Sequence, residues 1–104
     1  MANRIFTLFD AQTVDGDSGP FALDSDQFTA YVSGLLDGGT VRLYSSPDKV
    51  NWFPIVGAWF SETKKGAPVE YAEPFNENVV FIKAVLQDAG LTAAVTVTVL
   101  ATHR

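Results

Sequence analysis

The side chains that drive nucleophilic catalysis are scarce in this sequence. It contains no cysteine, and its only histidine, His103, is the penultimate residue. A Ser-His-Asp or Cys-His relay needs a histidine held between a nucleophile and an acid, whereas chain ends are usually poorly ordered. No Gly-rich phosphate loop precedes a helical pattern, so nucleotide binding has no support either. We predict no enzymatic activity, no catalytic residue and no cofactor.

Acidic loops are the next candidates for chemistry. The stretches DGDSG and DSD place Asp15, Asp17, Asp24 and Asp26 in two neighbouring loops. Oxygen-rich loops with alternating acids can hold Ca²⁺, but neither stretch has the spaced acids and closing glutamate of an EF-hand loop. We interpret these loops as ordinary turns and predict no metal site, and we keep a Ca²⁺-stabilised adhesion or fibre-tip domain as an alternative.

The segment SSPDKVNWFPIVGAWF, residues 45–60, concentrates aromatic side chains around one turn. The sequence SPDK at 46–49 fits a type I turn, because serine favours its first position and proline presets φ at its second. We therefore predict a hairpin that joins the strand TVRLYSS to a strand carrying Trp52 and Trp59.

The strand after this turn is apolar on both faces. In a regular strand, one face would carry Trp52, Pro54, Val56, Ala58 and Phe60, and the other Phe53, Ile55, Gly57 and Trp59. A half-exposed sandwich strand should be apolar on one face only. Either a bulge at Pro54 and Gly57 turns both tryptophans inward, or a partner covers one face, or the rings stack on sugars. The interface candidates are Tyr44, Trp52, Phe53, Pro54, Trp59, Phe60 and Tyr71.

The elements that position these residues follow a period of two. Apolar and polar residues alternate in QFTAYVSGL, TVRLYSS, NVVFIKAVLQ and TAAVTVTVLAT, and clusters of Gly, Pro, Asp and Ser separate the runs. This pattern predicts an all-β fold, an antiparallel β-sandwich of seven to eight strands in one domain, residues 1–104. Jelly-roll and immunoglobulin-like topologies both remain open. We also predict hairpins at DGG, at ETKKGAP and around DAG.

Composition excludes several partners. The net charge is -5, and residues 1–40 hold six aspartates against Arg4 alone. Such a surface repels phosphate backbones, so we expect no nucleic acid. No apolar run approaches the ~20 residues that span a membrane, and the start lacks a secretion signal, so we expect a soluble protein made in the cytosol. Hydrophobic residues make up 47% of the chain, which favours burial of some apolar surface against another chain.

The turn motif Ser46-x-Asp48-x-x-x-Trp52 resembles the S-x-D-G-x-x-W hairpin of small β-sandwich proteins in tailed-bacteriophage virions. In that family a strand like RIFTLFDAQ leads into a Gly-rich turn and a short G-P-F-x-L strand, here SGPFAL. A V-x-L-x-x-S strand, here VRLYSS, enters the motif, and a V-x-V strand, here VTVTVL, ends the pattern. The chain departs from the family at Lys49, which stands where glycine is usual.

The resemblance implies a virion structural protein made in the host cytoplasm. The expected role is a capsid decoration (cement) protein that self-associates, with a trimer as one possible state, and that binds the major capsid protein or another virion protein. It implies no catalytic residues. The alternative is a carbohydrate-binding module of a tail or fibre, in which an exposed Trp or Tyr stacks on a sugar and Asp48 or Asn51 hydrogen-bonds to it.

Overall fold

A computed structural model of the chain describes residues 3–102, so His103 lies outside the described residues. All regular structure within that range is β-strand, which confirms the all-β prediction. Residues 3–102 also hold no helix whose length and hydropathy would let it cross a membrane. The strands are β1 (Arg4–Gln12), β2 (Gly16–Asp17), β3 (Phe21–Ser25), β4 (Gln27–Leu35), β5 (Thr40–Ser46), β6 (Phe53–Ser61), β7 (Val69–Phe75), β8 (Val79–Gln87) and β9 (Ala94–Thr102).

The strands form two antiparallel sheets. The first sheet has the order β1-β9-β4-β7, and the second has β2-β8-β5-β6 with β3 also paired to β8. Since Gly16 pairs with Leu86 and Phe21 with Ile82, β2 and β3 follow each other along one side of β8 and act as one interrupted strand. The resulting eight strand positions agree with the predicted number. A chain that alternates between two sheets in this order is a jelly roll, which decides between the two topologies left open above.

The core lies between the sheets, where the predicted alternation holds for most strands. Phe28, Ala30 and Val32 of β4 and Val41 and Leu43 of β5 are buried, and their polar neighbours are not. Burying a side chain of this kind contributes roughly 1.5–3 kcal/mol. The buried cluster draws on both sheets, so the two layers stabilise each other.

Only one of the predicted hairpins forms. Strands β5 and β6 pair across residues 47–52, as expected. The DGG turn instead joins β4 of the first sheet to β5 of the second, and the β6–β7 and β8–β9 connections also cross between sheets. Those three hairpin predictions were wrong. The local geometry was right, since Asp37 (φ 47°) and Gly38 (φ 85°) have the positive φ of a tight turn. A turn reverses the chain, however, without deciding which sheet receives the next strand.

Candidate functional site

Side chains hold the β5–β6 turn together. The Ser46 Oγ accepts hydrogen bonds from the N–H groups of Asp48 (3.2 Å) and Lys49 (2.8 Å), and donates one to Asp48 Oδ1 (3.0 Å). Asp48 Oδ1 also accepts from the N–H groups of Val50 and Asn51, both at 2.9 Å. The Asn51 side-chain amide donates to Asp48 Oδ2 at 2.9 Å. The β5–β6 connection is too long for a minimal hairpin loop. The serine and aspartate of the S-x-D motif therefore accept the hydrogen bonds of its backbone N–H groups.

These bonds lower the pKa of Asp48. The backbone N–H of Asn51 makes the largest contribution and the N–H of Val50 the next, and together they bring the pKa to about 2. Donors that point at a carboxylate favour its ionised form. The carboxylate therefore stays negative in neutral solution, and both its oxygens face donors of its own loop.

Lys49 occupies the left-handed backbone region, with φ 67°. This region suits glycine, because a Cβ crowds the following carbonyl there. The lysine ammonium lies 5.0 Å from the ring centroid of Phe81 on β8. The residue that replaces the usual glycine of the motif thus carries strain and gains a contact with the sheet.

Strand β6 contains the predicted bulge. Arg42 pairs with Trp59 and Tyr44 with Pro54, so two steps along β5 correspond to five along β6. Gly57 has φ 82° at this point. The bulge brings Ile55, Ala58 and Phe60 inward. It does not turn both tryptophans inward, as that alternative predicted, because Trp59 remains 61% exposed.

The prediction of Phe60 as an interface residue was wrong, because this side chain is buried in the core. Its side chain is 2% exposed, since the bulge shifts the inward phase of β6 by one residue. Its ring packs on that of Tyr71 in the first sheet, with centroids 5.3 Å apart, and the Tyr71 hydroxyl donates a hydrogen bond to the carbonyl of Ser61 (2.5 Å). These two residues close the side of the sandwich between β6 and β7.

Tyr71 also borders a depression on the first sheet. The depression has a volume of about 340 Å³ and is lined by Tyr31, Ser33, Glu70, Tyr71 and Ala72. Tyr71 thus belongs to the first sheet, whereas the two tryptophans belong to the second sheet and its turn.

The outer surface of the second sheet carries aromatic rings with cations over them. The Arg42 guanidinium lies 4.5 Å from the ring centroid of Trp59 and 5.9 Å from that of Tyr44. The Lys83 ammonium lies 4.6 Å from the ring of Trp52 and 3.5 Å from a carboxylate oxygen of Asp17. We call this surface the aromatic face: Tyr44, Trp52, Trp59 and Phe81 with Arg42, Lys49 and Lys83. Cation–π contacts at such exposed sites contribute about 0.5–1 kcal/mol each.

The free edge of this sheet is apolar. Phe53 is 57% exposed, Val56 84%, Trp59 61% and Val50 76%. We call these four residues the aromatic border. An open strand edge can pair with another chain, but Pro54 within it has no N–H to donate. The border is therefore better suited to contact through side chains than to extension of the sheet.

The structure separates the four loop acids. Asp15 accepts hydrogen bonds from the N–H groups of Asp88 (3.0 Å) and Ala89 (2.8 Å), whereas Asp17 accepts one from the N–H of Gly19 (3.0 Å). Across the part of the chain that is described, no group of three or more His, Cys, Asp or Glu side chains could hold a metal ion. Asp17 thus stabilises its own turn, as the turn interpretation predicts, whereas Asp15 ties its loop to the β8–β9 connection.

Sequence reasoning missed the cations of the aromatic face. The alternation already set Arg42 and Tyr44 on one side of β5, and Phe81 and Lys83 on one side of β8. Their meeting depends on the pairing of Tyr44 with Lys83, which is a contact between strands far apart in the chain. A basic residue flanked by aromatic ones on paired strands is the only available signal, and it needs the register.

Neither a family model nor a curated protein matches the chain.

Proposed function

We propose that this protein is a structural component of a tailed-bacteriophage virion, a decoration protein that binds the capsid and self-associates. It acts by binding through its second sheet, with the aromatic border for self-association and the aromatic face for the capsid. The single observation that carries the proposal is the aromatic border, in which a segment of ten residues, 50–59, exposes four large apolar side chains at one edge of the sheet.

An exposed cluster of this kind favours a partner. Contiguous apolar surface is uncommon on monomers, and aromatic and arginine side chains are enriched at protein interfaces. The molecule measures 38 × 27 × 21 Å, so a broad side can supply the roughly 800 Å² per partner that a standard interface buries.

The turn motif supports the phage assignment. Ser46 and Asp48, which carry the resemblance to virion proteins, are the residues that hold the β5–β6 turn together. The strand order is compatible with this assignment, because jelly rolls occur in viral capsid domains, but they occur in lectin domains as well. Architecture alone does not assign a function, so the aromatic border carries the proposal and the motif adds support.

The carbohydrate alternative has one observation in its favour, the two tryptophans associated with the same sheet surface. Two others oppose it. Asp48 and Asn51, the expected sugar-binding groups, hydrogen-bond to each other. The rings of Trp59 and Trp52 already have Arg42 and Lys83 over them. We expect tryptophan fluorescence to stay unchanged across a sugar panel, and a saturable change with one sugar would favour the alternative.

The proposal is tested on virions of the phage that encodes the chain. We expect the gene to lie beside a major capsid gene, and the protein to be present in gradient-purified particles at a fixed ratio to the capsid protein. Particles that lack the gene should bind the purified protein in a sedimentation assay. Trp59→Ser should weaken this binding at least tenfold, whereas Lys64→Glu, in the exposed β6–β7 connection, should leave it unchanged.

Two outcomes would contradict the proposal. Absence of the protein from purified virions would remove the virion assignment. Equal binding by the Trp59→Ser variant and the unchanged protein would show that the aromatic face, to which Trp59 belongs, is not the surface that docks on the capsid.

A further inference from the structure

We infer that copies of this chain associate head to tail, with the aromatic border of one copy bound to an acidic border of the next. This inference rests on the proposed self-association and specifies its geometry. The acidic border runs along β1, β2 and β3 on the opposite side of the sandwich, and its charged residues are Asp10, Asp15, Asp24 and Asp26.

The strand order makes the two borders opposite. β6 ends one side of the second sheet, and β2 and β3 end the other. β1 ends the first sheet on the same side as β2 and β3, since the Arg4 guanidinium on β1 donates hydrogen bonds to the carbonyl oxygens of Leu23 (2.6 Å) and Asp24 (3.1 Å). A surface on each side of one molecule is the arrangement that head-to-tail contacts require.

The charges of the two borders are complementary. Arg42 lies against Trp59 of the aromatic border, and within residues 3–102 no described ion pair engages its guanidinium. The acidic border carries its four aspartates against Arg4 alone, and none of the four has a described ion pair in that range. The one described pair in that range joins Lys83 to Asp17 of β2, so Asp17 is already paired and is not counted among the four. Opposite charges brought together in this way set the register and the choice of partner.

Apolar surface is present on both sides as well. Ile5 on β1 is 71% exposed and Val14, in the β1–β2 connection, is 65% exposed. Of the nine large hydrophobic residues that are exposed in the described range, these two and the four of the aromatic border make six. Each border therefore offers the other apolar contacts as well as a charge.

A two-fold contact is less favourable. Pairing two aromatic borders would leave Arg42 of each copy without a free acid opposite it, because the Asp48 carboxylate is bound within its own turn, and pairing two acidic borders would bring eight aspartates together. Like charges across an interface oppose binding. A head-to-tail contact avoids both, and it closes into a ring if the rotation between copies permits, or continues as a filament if it does not.

The test uses two variants that each disable one border. Arg42→Glu reverses the charge beside the aromatic border, and Ile5→Lys with Asp10→Lys disables the acidic border. Val56→Glu is a second variant of the aromatic border. Because Val56 is 84% exposed, this substitution should leave the fold intact. Lys64→Glu is the control for the charge change of the first variant, and Glu70→Lys, on the outer face of the first sheet, is the control for the charge change made by Asp10→Lys in the second. Circular dichroism checks that each variant is folded.

Light scattering at about 100 µM protein then gives the mass, and hence the assembly state, of each variant. We expect the unchanged chain and both controls to assemble, and each border variant alone to be monomeric. A mixture of Arg42→Glu with the Ile5→Lys/Asp10→Lys variant should form a complex of two chains, because the intact acidic border of the first receives the intact aromatic border of the second. Both outer ends of that complex are disabled, so it stops at two.

Three results would overturn the inference. They are a monomeric unchanged chain, assembly of the Ile5→Lys/Asp10→Lys variant at normal strength, and a mixture that contains only monomers. Binding of the unchanged protein to virions, together with either of the last two results, would leave the proposed function standing and remove only the head-to-tail geometry. A monomeric unchanged chain that binds virions would also remove the proposed self-association and leave the capsid binding.

Discussion

At the scale of single residues, Lys49 links the turn motif to backbone strain. We predict that Lys49→Gly is more stable than Lys49→Ala by about 1 kcal/mol. Both variants lose the contact with Phe81. Only glycine, which has no Cβ, accepts a φ of 67° without a steric clash, whereas the Cβ of alanine is crowded there. Urea denaturation of the two variants measures the difference. Equal stabilities would mean that the turn relaxes to another conformation when the lysine is removed.

Asp48 should make the stability of the fold depend on pH in a defined window. Its pKa falls from 3.8 to about 2 in the folded chain, chiefly through the N–H of Asn51. A depressed folded-state pKa stabilises the fold above 3.8, and that contribution is lost as the pH falls towards 2. We therefore expect the unchanged protein to melt at a higher temperature than Asp48→Asn at pH 6, with the gap shrinking between pH 4 and pH 2.

The comparison with Asp48→Asn isolates this residue. The pKa of Asp37 is also lowered, by the hydrogen bond from the N–H of Thr92, but Asp37 is present in both proteins and affects both melting curves. A gap in melting temperature that stays constant from pH 6 to pH 2 would contradict the assigned cause.

At the scale of elements, two glycines in the sheets serve different purposes. Gly57 has φ 82° in the β6 bulge, and an added Cβ would come no nearer than 3.9 Å to Phe75. Gly34 has φ 110°, and a Cβ there would lie 2.0 Å from the carbonyl oxygen of Ala94 on β9. We predict that Gly57→Ala destabilises the fold by about 1 kcal/mol through backbone strain alone. Gly34→Ala should destabilise it by roughly 3 kcal/mol, because strain and overpacking add.

Chemical denaturation of both variants tests this difference. Similar losses at the two positions would mean that β4 and β9 separate easily at Gly34, against the close approach seen there. A Gly57→Ala loss much above 2 kcal/mol would show that the bulge affects packing beyond its own backbone.

The elements also show what sequence could and could not predict. The period of two identified the strands, and the glycine- and aspartate-rich clusters identified the turns, because both signals come from neighbouring residues. Pairing is decided by which apolar faces meet, and this depends on residues far apart in the chain. The turns at 37–39 and in the β6–β7 connection were therefore located correctly and assigned to the wrong partners.

The same limit applies to the candidate site at the scale of the whole molecule. The aromatic segment 45–60 stood out from the sequence alone, and a bulge at Pro54 and Gly57 was one of the alternatives that it offered. The burial of Phe60 and the exposure of Trp59 depend on how many residues the bulge adds, which sequence does not specify. The cations of the aromatic face appear only when β5 lies between β6 and β8.

Added salt should weaken the proposed head-to-tail association. The chain's net charge of -5, taken alone, would predict that salt strengthens it. Two copies repel each other through their net charge, and added salt screens that repulsion. At 0.1 M salt, however, the Debye length is about 10 Å, whereas the centres of two touching copies are separated by about the 27–38 Å extent of the molecule. Repulsion between the whole molecules is then already small, and the charges that meet at the borders are within screening distance of each other.

Between 100 and 500 mM NaCl we therefore expect the association constant to fall roughly five- to tenfold in sedimentation experiments, consistent with a few exposed charge contacts. The Arg42→Gln variant should associate more weakly and show a smaller salt dependence. Association that strengthens with salt would identify an apolar contact in which the charges of the two borders do not meet.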